Sequence, residues 1–360
     1  VAALDPLVPP GGPLPPGERR RAARHLLLEG FGPEAQARLA GARVLVVGAG
    51  GLGSPVLQYL GAAGVGTLGV VDDDVVEESN LQRQVLHGAA DVGTAKTASA
   101  AAAVRALRPE ARVVEHAVRL DAANARSLLD AYDLVVDGCD TFATRYAVSD
   151  AAAALGLPVV WGSVLGWDGQ VSVWWSAAPD GRGITYPDVF GPLPDEEGET
   201  CATVGVLSPA CGVVGATMAV EAVKLLTGTG DVALGRLLVY DARTSSWDSV
   251  ELAAGAGVVA SSVPESSSNE RDEEDSSTHD APAGALVLDV GPAPGAATPG
   301  AVWARLEDLA AGEYPPELAA HPLDAPLVVV CPQGLRSRGA AALLAAEGWT
   351  DVRTVAAGPR

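Results

Sequence analysis

Gly48, Gly50 and Gly53, within Val44-Leu45-Val46-Val47-Gly48-Ala49-Gly50-Gly51-Leu52-Gly53-Ser54-Pro55, have the G-x-G-x-x-G spacing that lets a backbone turn approach a phosphate chain. The apolar residues before the turn read as a buried strand. A helix beginning near Ser54 would aim free N–H groups and its positive dipole end at the phosphate. A second apolar run, Thr67 to Val71, closes on Asp72, placed to bind ribose hydroxyls. The fingerprint alone leaves NAD, FAD and ATP open. Beyond it, Asn80, Arg83 and Gln84 share the i, i+3, i+4 spacing of one helical face, and Lys96 adds a cation. A hydride-transfer enzyme needs only the ribose carboxylate here, whereas these amides and cations suit a triphosphate. Asp137 and Asp140 follow another apolar run, and in a doubly wound sheet ligands sit at strand C-terminal ends.

The second kind of chemistry is that of sulfur. Cysteines at 139, 201, 211 and 331 make no disulfide framework, and four scattered thiols cannot close a tetrahedral zinc site, so no structural zinc is expected. The five histidines show no metal-ligand spacing. Cys211, between Ala210 and Gly212 in an apolar helix start, reads as a packed core thiol. Cys331 ends Leu327-Val328-Val329-Val330 and precedes Pro332-Gln333-Gly334-Leu335-Arg336-Ser337. Loop amides and Arg336 converging on that sulfur would favour a thiolate and then a persulfide.

The elements that must position these groups are legible as runs. Strand-like stretches at 43–47, 67–71, 112–116, 133–137, 158–164 and 170–175 alternate with helix-like ones, which predicts an α/β, Rossmann-like, mostly parallel sheet wrapped by helices. Residues 1–18 are rich in Pro and Gly and read as a flexible tail. The stretch from Glu18 to Leu28 reads as a basic helix carrying Arg24. A large domain is expected over 19–252. Residues 253–283, with Ser266-Ser267-Ser268 and the charged cluster Glu270 to Asp275, read as a flexible linker. A second, small α/β domain over 284–360 holds strands at 286–290 and 327–330 and a helix from Arg338 to Glu347. The formal charge of −21 opposes binding to nucleic acid or anionic membranes, no apolar stretch reads as a membrane span, and no signal segment is visible, so a cytoplasmic protein is expected.

Taken in order, Arg24-His25, Gly48 to Gly53, Asp72-x-Asp74, Ser79-Asn80-Leu81-Gln82-Arg83-Gln84, Lys96, and Asp137-Gly138-x-Asp140 with Arg145 resemble the ThiF/MoeB family, ATP-dependent activators of ubiquitin-like sulfur carriers related to ubiquitin-activating enzymes. The resemblance implies adenylation of the C-terminal glycine of a small carrier ending in Gly-Gly, with release of pyrophosphate. It implies that Gly48, Gly50, Gly51 and Gly53 cradle ATP and Asp72 holds the ribose. Asn80, Arg83, Gln84 and Lys96 would hold phosphates, Asp140 would position Mg²⁺ and the attacking carboxylate, and Arg24 would reach the neighbouring subunit of a homodimer. The chemistry agrees: a carboxylate attacking the α-phosphate brings two anions together, which calls for cations and a metal rather than covalent help. The stretch from Gly162 to Val171 resembles the strand pair lining the carrier-tail channel, although a plain hairpin would read the same.

The departures are also informative. Thr141 follows Asp140 where the family usually has Asn. Its two C-x-x-C pairs are missing, Gly183 to Asp188 standing where the first would fall and Thr244 to Trp247 in the region of the second. Cys201 lies at the family's crossover loop, where related enzymes carry a reactive thiol. The segment from Cys331 to Ser337 resembles a rhodanese active loop, with Cys331, Gly334, Arg336 and Ser337 in place, but Gly291 stands where rhodaneses usually have Arg. The whole is thus similar to MoeZ-like fusions of an adenylyltransferase with a rhodanese-like sulfurtransferase, fed by thiosulfate or a persulfide donor. Two rivals are an NAD(P)-dependent oxidoreductase and a non-catalytic scaffold for a ubiquitin-like protein.

Overall fold

The computed structural model describes residues 4–194, 204–252, 282, 284–291, 293–295, 298, 300–332 and 335–356. They form two compact units, one built on the described residues 4–194 and 206–252 and the other on 204–205 and those from 282 onward.

In the larger unit the elements run α1 (Pro16–Arg21), α2 (Ala23–Leu26), α3 (Gly32–Gly41), β1 (Arg43–Val47), α4 (Gly53–Ala63), β2 (Thr67–Val71), α5 (Lys96–Leu107), β3 (Arg112–His116), α6 (Ala125–Leu129), β4 (Leu134–Asp137) and α7 (Phe142–Leu155). They continue through β5 (Val159–Leu165), β6 (Asp168–Trp174), α8 (Tyr186–Phe190), α9 (Ser208–Thr227), β7 (Arg236–Asp241) and β8 (Ser246–Glu251). The strands make one eight-stranded sheet in the order β3-β2-β1-β4-β5-β6-β7-β8. Pairing is parallel from β3 to β5 and antiparallel from β5 to β8. Val44, Leu45, Val46 and Val47 are all buried, because a parallel strand covered by helices on both faces carries a continuous apolar run. From β1 the chain winds outward to β3 and then returns to place β4 on the other side. The C-terminal ends of β1, β2 and β4 therefore share one crevice, the topological switch point of the sheet.

Several expectations are corrected. The Pro-rich segment is no loose tail over its described part. Leu4 and Val8 belong to the core, the Leu7 N–H donates to the Leu225 carbonyl (3.1 Å) and the Gly11 N–H to that of Ala37 (3.0 Å). Proline forbids a helix or ladder there, but two apolar anchors and scattered backbone bonds suffice to hold an irregular strap. The basic helix is broken into α1 and α2 at Ala22. Helix α9 has the length and apolarity of a membrane span, but it packs against α4, β5 and β6 as a core helix. Its buried Glu221 pairs with Lys224 and accepts the Ala233 N–H (2.8 Å).

The smaller unit contains β9 (Leu286–Asp289), β10 (Val302–Trp303), α10 (Leu306–Ala310), α11 (Pro316–Ala319), β11 (Leu327–Cys331), α12 (Leu335–Ala346) and β12 (Val352–Ala356). Its sheet is wholly parallel, in the order β10-β9-β11-β12. A small core gathers Leu288, Val290, Leu309, Leu318, Val329 and Trp349 among others.

Candidate functional site

The glycine turn is built as its spacing requires. Gly48 leaves β1 with φ +88°, a left-handed conformation that favours glycine, and its N–H donates to the Val71 carbonyl (2.8 Å). A Cβ on Gly53 would stand 1.9 Å from the Gly48 carbonyl oxygen, so no other residue fits. Gly51 rests on the buried Cys211, whose sulfur would lie 3.1 Å from a Cβ there, which makes Cys211 the core thiol its surroundings suggested. Helix α4 begins at Gly53, and no described residue accepts the N–H of Gly50 or Gly51. This end of the turn presents unpaired donors beside a helix N-terminus.

Asp72 follows β2 and faces the turn. One carboxylate oxygen accepts the Ala49 N–H (2.8 Å) and the other the Asp74 N–H (2.9 Å), while burial pushes its pKa up from the ordinary carboxylate range. The Lys96 ammonium, almost wholly buried at the start of α5, is held 2.8 Å from the Asp74 carboxylate. Carboxylate oxygens of Asp72, Asp73 and Asp74 lie within 4.8 Å of one another, but two of those side chains are already engaged by backbone N–H groups and Lys96.

The expected phosphate-binding segment folds as a 3-10 turn, Glu78–Asn80, followed by turns, rather than as the regular helix that i, i+3, i+4 spacing suggests. The Asn80 carbonyl still accepts the N–H of Arg83 (3.1 Å) and Gln84 (2.9 Å), so the three side chains are grouped as expected. Asn80 and Gln84 are buried, Arg83 is half-buried with its Nη1 on the Ser79 carbonyl (3.2 Å), and Gln84 packs against Gly50. The Gln84 Oε1 is buried without a hydrogen-bond partner among the described residues.

At the end of β4, Asp137 is buried and accepts the Cys139 N–H (3.0 Å), and burial raises its pKa. Arg145 on α7 donates through Nη2 to the Cys139 carbonyl (3.2 Å) and the Ser163 hydroxyl (3.2 Å), and lies over the Phe142 and Trp161 rings. The turn before Asp140 is thus held from both sides, and Gly138 abuts Gly48 and Gly53. Asp140 itself is exposed and accepts no hydrogen bond from a described residue. Burial and then Asp137 push the Cys139 thiol well up, which favours its protonated form.

One side chain that sequence reasoning left out belongs to this site. His87 is buried, with Nε2 2.9 Å from the Ala49 carbonyl and Nδ1 2.8 Å from the Ser99 hydroxyl, and burial lowers its pKa. Asp74 is named by its motif but its pairing with Lys96 is not. A lone histidine carries no spacing signal, so only its fold partners could reveal it.

Other expected residues are not brought to the turn. Arg24 is exposed on α2, which is docked through His25 Nδ1 to Gln36 Oε1 (3.1 Å) and Gln36 Nε2 to the Ala63 carbonyl (2.7 Å), at the far end of α4. Cys201 lies outside the described residues. The segments matched to the missing cysteine pairs do not meet. Ile184 bridges Trp175 beyond the C-terminal end of β6, whereas Trp247 pairs through Tyr240 with Gly169 at its beginning, roughly 20 Å away along the strand. What returns toward the Ile184 end is instead the close of β8, where the Leu252 N–H donates to the Gly235 carbonyl (2.8 Å).

In the smaller unit, Cys331 ends β11 and is buried, and its sulfur accepts the Ser337 N–H (3.3 Å) from the first turn of α12. That N–H is an orphan donor of a helix start, aimed at the sulfur. Arg336 lies in the same turn, and Gly334 falls outside the described residues. Beside them, the buried Asp289 accepts the Gly291 N–H (2.8 Å).

Comparison with known proteins agrees with this architecture. A family model described as the ThiF family matches residues 22–257. The chain is 52% identical over 252 residues to the probable adenylyltransferase/sulfurtransferase MoeZ of Mycobacterium tuberculosis, covering 69% of this chain and 64% of that protein, so it spans somewhat under two thirds of that relative. It is 49% identical over 233 residues to the sulfur carrier protein adenylyltransferase of Thermus thermophilus, covering 64% of this chain and 86% of the other. Among solved structures, Escherichia coli MccB with ATP superposes with a TM-score of 0.56 at 20% identity, covering 65% of this chain and 72% of that one.

Proposed function

Because the chain belongs to the ThiF family, we propose that its larger unit uses ATP to adenylate the C-terminal glycine carboxylate of a small ubiquitin-like sulfur-carrier protein, and that Cys331 of the smaller unit then supplies sulfur. The observation that carries the first step is the convergence at one crevice of the unpaired turn amides, Asp72, Lys96 and Arg83 with the exposed Asp140. A carboxylate oxygen of the carrier bonds to the α-phosphorus, the bond to the β-phosphate breaks, and pyrophosphate leaves with the charge that Arg83 and Lys96 balance. Asp140, an unpartnered hard-oxygen donor, would hold Mg²⁺ together with the nucleotide, and the ion would neutralise developing charge there.

For the second step, the outer sulfur of a Cys331 persulfide attacks the acyl carbon and AMP leaves. Two thiol equivalents from a cellular reductant then complete the step: the first attacks the Cys331 sulfur and expels the thiocarboxylate, and the second releases Cys331 from the mixed disulfide, the two thiols leaving as a disulfide. Thiosulfate or a protein persulfide would reload the cysteine.

Arg24 supports a homodimer. It lies at the end of α4 opposite the glycine turn, about 16 Å of helix away. Exposed Leu27 and Leu28 follow it. An arginine in that position serves the phosphates of a neighbouring copy better than its own.

The test separates the two steps. Asp140→Ala should abolish carrier-dependent ATP–pyrophosphate exchange and spare thiosulfate sulfurtransferase activity. Cys331→Ala should leave exchange near wild type while no thiocarboxylate appears by intact mass. Full thiocarboxylate from Cys331→Ala with thiosulfate as sole donor would remove the smaller unit from the pathway.

A further inference from the structure

Ala49 is gripped at both of its backbone groups. Its N–H donates to the Asp72 carboxylate (2.8 Å), and its carbonyl lies 2.9 Å from His87 Nε2. A carbonyl only accepts, so Nε2 carries the proton. Burial keeps the ring neutral, which leaves Nδ1 to accept from the Ser99 hydroxyl (2.8 Å). Ser99 lies on α5 one turn after Lys96. We propose that His87 is a positioning residue of the nucleotide site: it fixes the peptide plane of the glycine turn through the Ala49 carbonyl and ties that turn to the helix that carries Lys96.

The geometry gives the clamp a direction. In a trans peptide the Ala49 carbonyl and the Gly50 N–H lie in one plane and point in opposite directions. With the carbonyl drawn to a buried histidine, the Gly50 N–H is turned away from that histidine, and no described residue accepts it. The donor is held ready for a phosphate oxygen instead of being free to rotate, so its ordering cost is met in folding rather than on binding. Lys96, Asp91 and Asp72 are the charged groups that face the ring. Lys96 disfavours the imidazolium, while the two carboxylates favour it.

This inference rests on the reading of the turn as an ATP site. Calorimetric titration with ATP·Mg²⁺ and NMR titration with adenosine would be run on wild type, His87→Gln, His87→Asn and Ser99→Ala. Glutamine can place an N–H where Nε2 stands and should bind ATP within about twofold of wild type. Asparagine cannot reach Ala49 and should bind about tenfold more weakly, the scale of one lost hydrogen bond, with adenosine binding unchanged because it has no phosphate. Ser99→Ala, which keeps the ring, should show a smaller loss of the same kind, about threefold. Equal ATP affinity in all variants would overturn the clamp while leaving the ATP site standing. Equal losses for ATP and adenosine would reduce His87 to packing. A wild type that binds no ATP would instead overturn the adenylation reading, and the clamp with it.

Discussion

At the scale of single residues, the site depends on groups whose neighbours leave no choice. A methyl on Gly53 meets the Gly48 carbonyl at 1.9 Å, whereas one on Gly50 meets only the Gln84 side chain at 3.5 Å. Gly53→Ala should therefore cost about 3 kcal/mol in urea unfolding and abolish ATP binding, and Gly50→Ala should fold normally. His87 adds a pH signature. Its folded pKa lies below the ordinary value of about 6.5, so as pH falls through that value the unfolded chain takes up a proton that the folded chain refuses. The stability that His87 contributes is present above about pH 6.5 and is lost below it, by up to about 1.4 kcal/mol per pH unit, until the folded pKa is reached. His116, also lowered by burial, acts in the same sense. Urea midpoints at pH 7.5 and 5.5 should fall further for wild type than for His87→Gln, which keeps only the His116 contribution.

At the scale of elements, short pieces are held by specific anchors rather than by propensity. α1 and α2 have no buried residue of their own. α1 is tied down by Glu18, whose carboxylate lies 3.3 Å from the Arg108 guanidinium, itself bonded to the Val65 carbonyl (2.8 Å), and α2 adds the contact of His25 with Gln36. Breaking that largely buried pair leaves Arg108 unpaired, at a cost of about 3 kcal/mol. Glu18→Ala should speed amide exchange across residues 16–26 while leaving the strands β1, β2 and β4 protected. Exchange unchanged in α1 and α2 would show that another contact holds them. At the opposite edge of the sheet, every residue of β8 is exposed, and the strand is held by its ladder to β7 and the stacking of Trp247 on Tyr240, with ring centroids 5.0 Å apart.

At the scale of the whole molecule, the proposed dimer makes a prediction that neither site makes alone. If Arg24 serves the partner's phosphates, a mixed dimer of Arg24→Ala and Asp140→Ala chains contains one site with both groups intact. Each homodimer alone should be inactive in ATP–pyrophosphate exchange. Mixing them with subunit exchange should restore about a quarter of wild-type activity, since half of the dimers are mixed and each has one good site. No recovery on mixing would show that Arg24 and Asp140 of one chain serve the same site, not Arg24 of one and Asp140 of its partner. Recovery is expected to disappear at dilutions where light scattering shows monomers.

What the sequence by itself determined is whatever rests on local patterning. The apolar runs of β1, β2, β4 and β5, the glycine spacing, and the acids at strand ends follow from burial on both faces, the left-handed turn and strand polarity, and each lies within a residue or two of its expected place. The strands at 286–290 and 327–330 of the small α/β unit and Cys331 at a strand end were legible for the same reason. Three kinds of feature were decided only by the tertiary structure. β8 lacked a readable signal because an edge strand with every residue exposed is held by ladder bonds rather than by a buried face. The N-terminal strap depends on a groove that exists only once α3 and α9 are packed. The reach of His87 to Ala49, 38 residues away, and of Lys96 to Asp74, 22 away, follows from strand order, which no local spacing encodes. Local patterning places a chemistry-bearing residue on its element, and only the crossing of β1, β2 and β4 decides which of those residues meet.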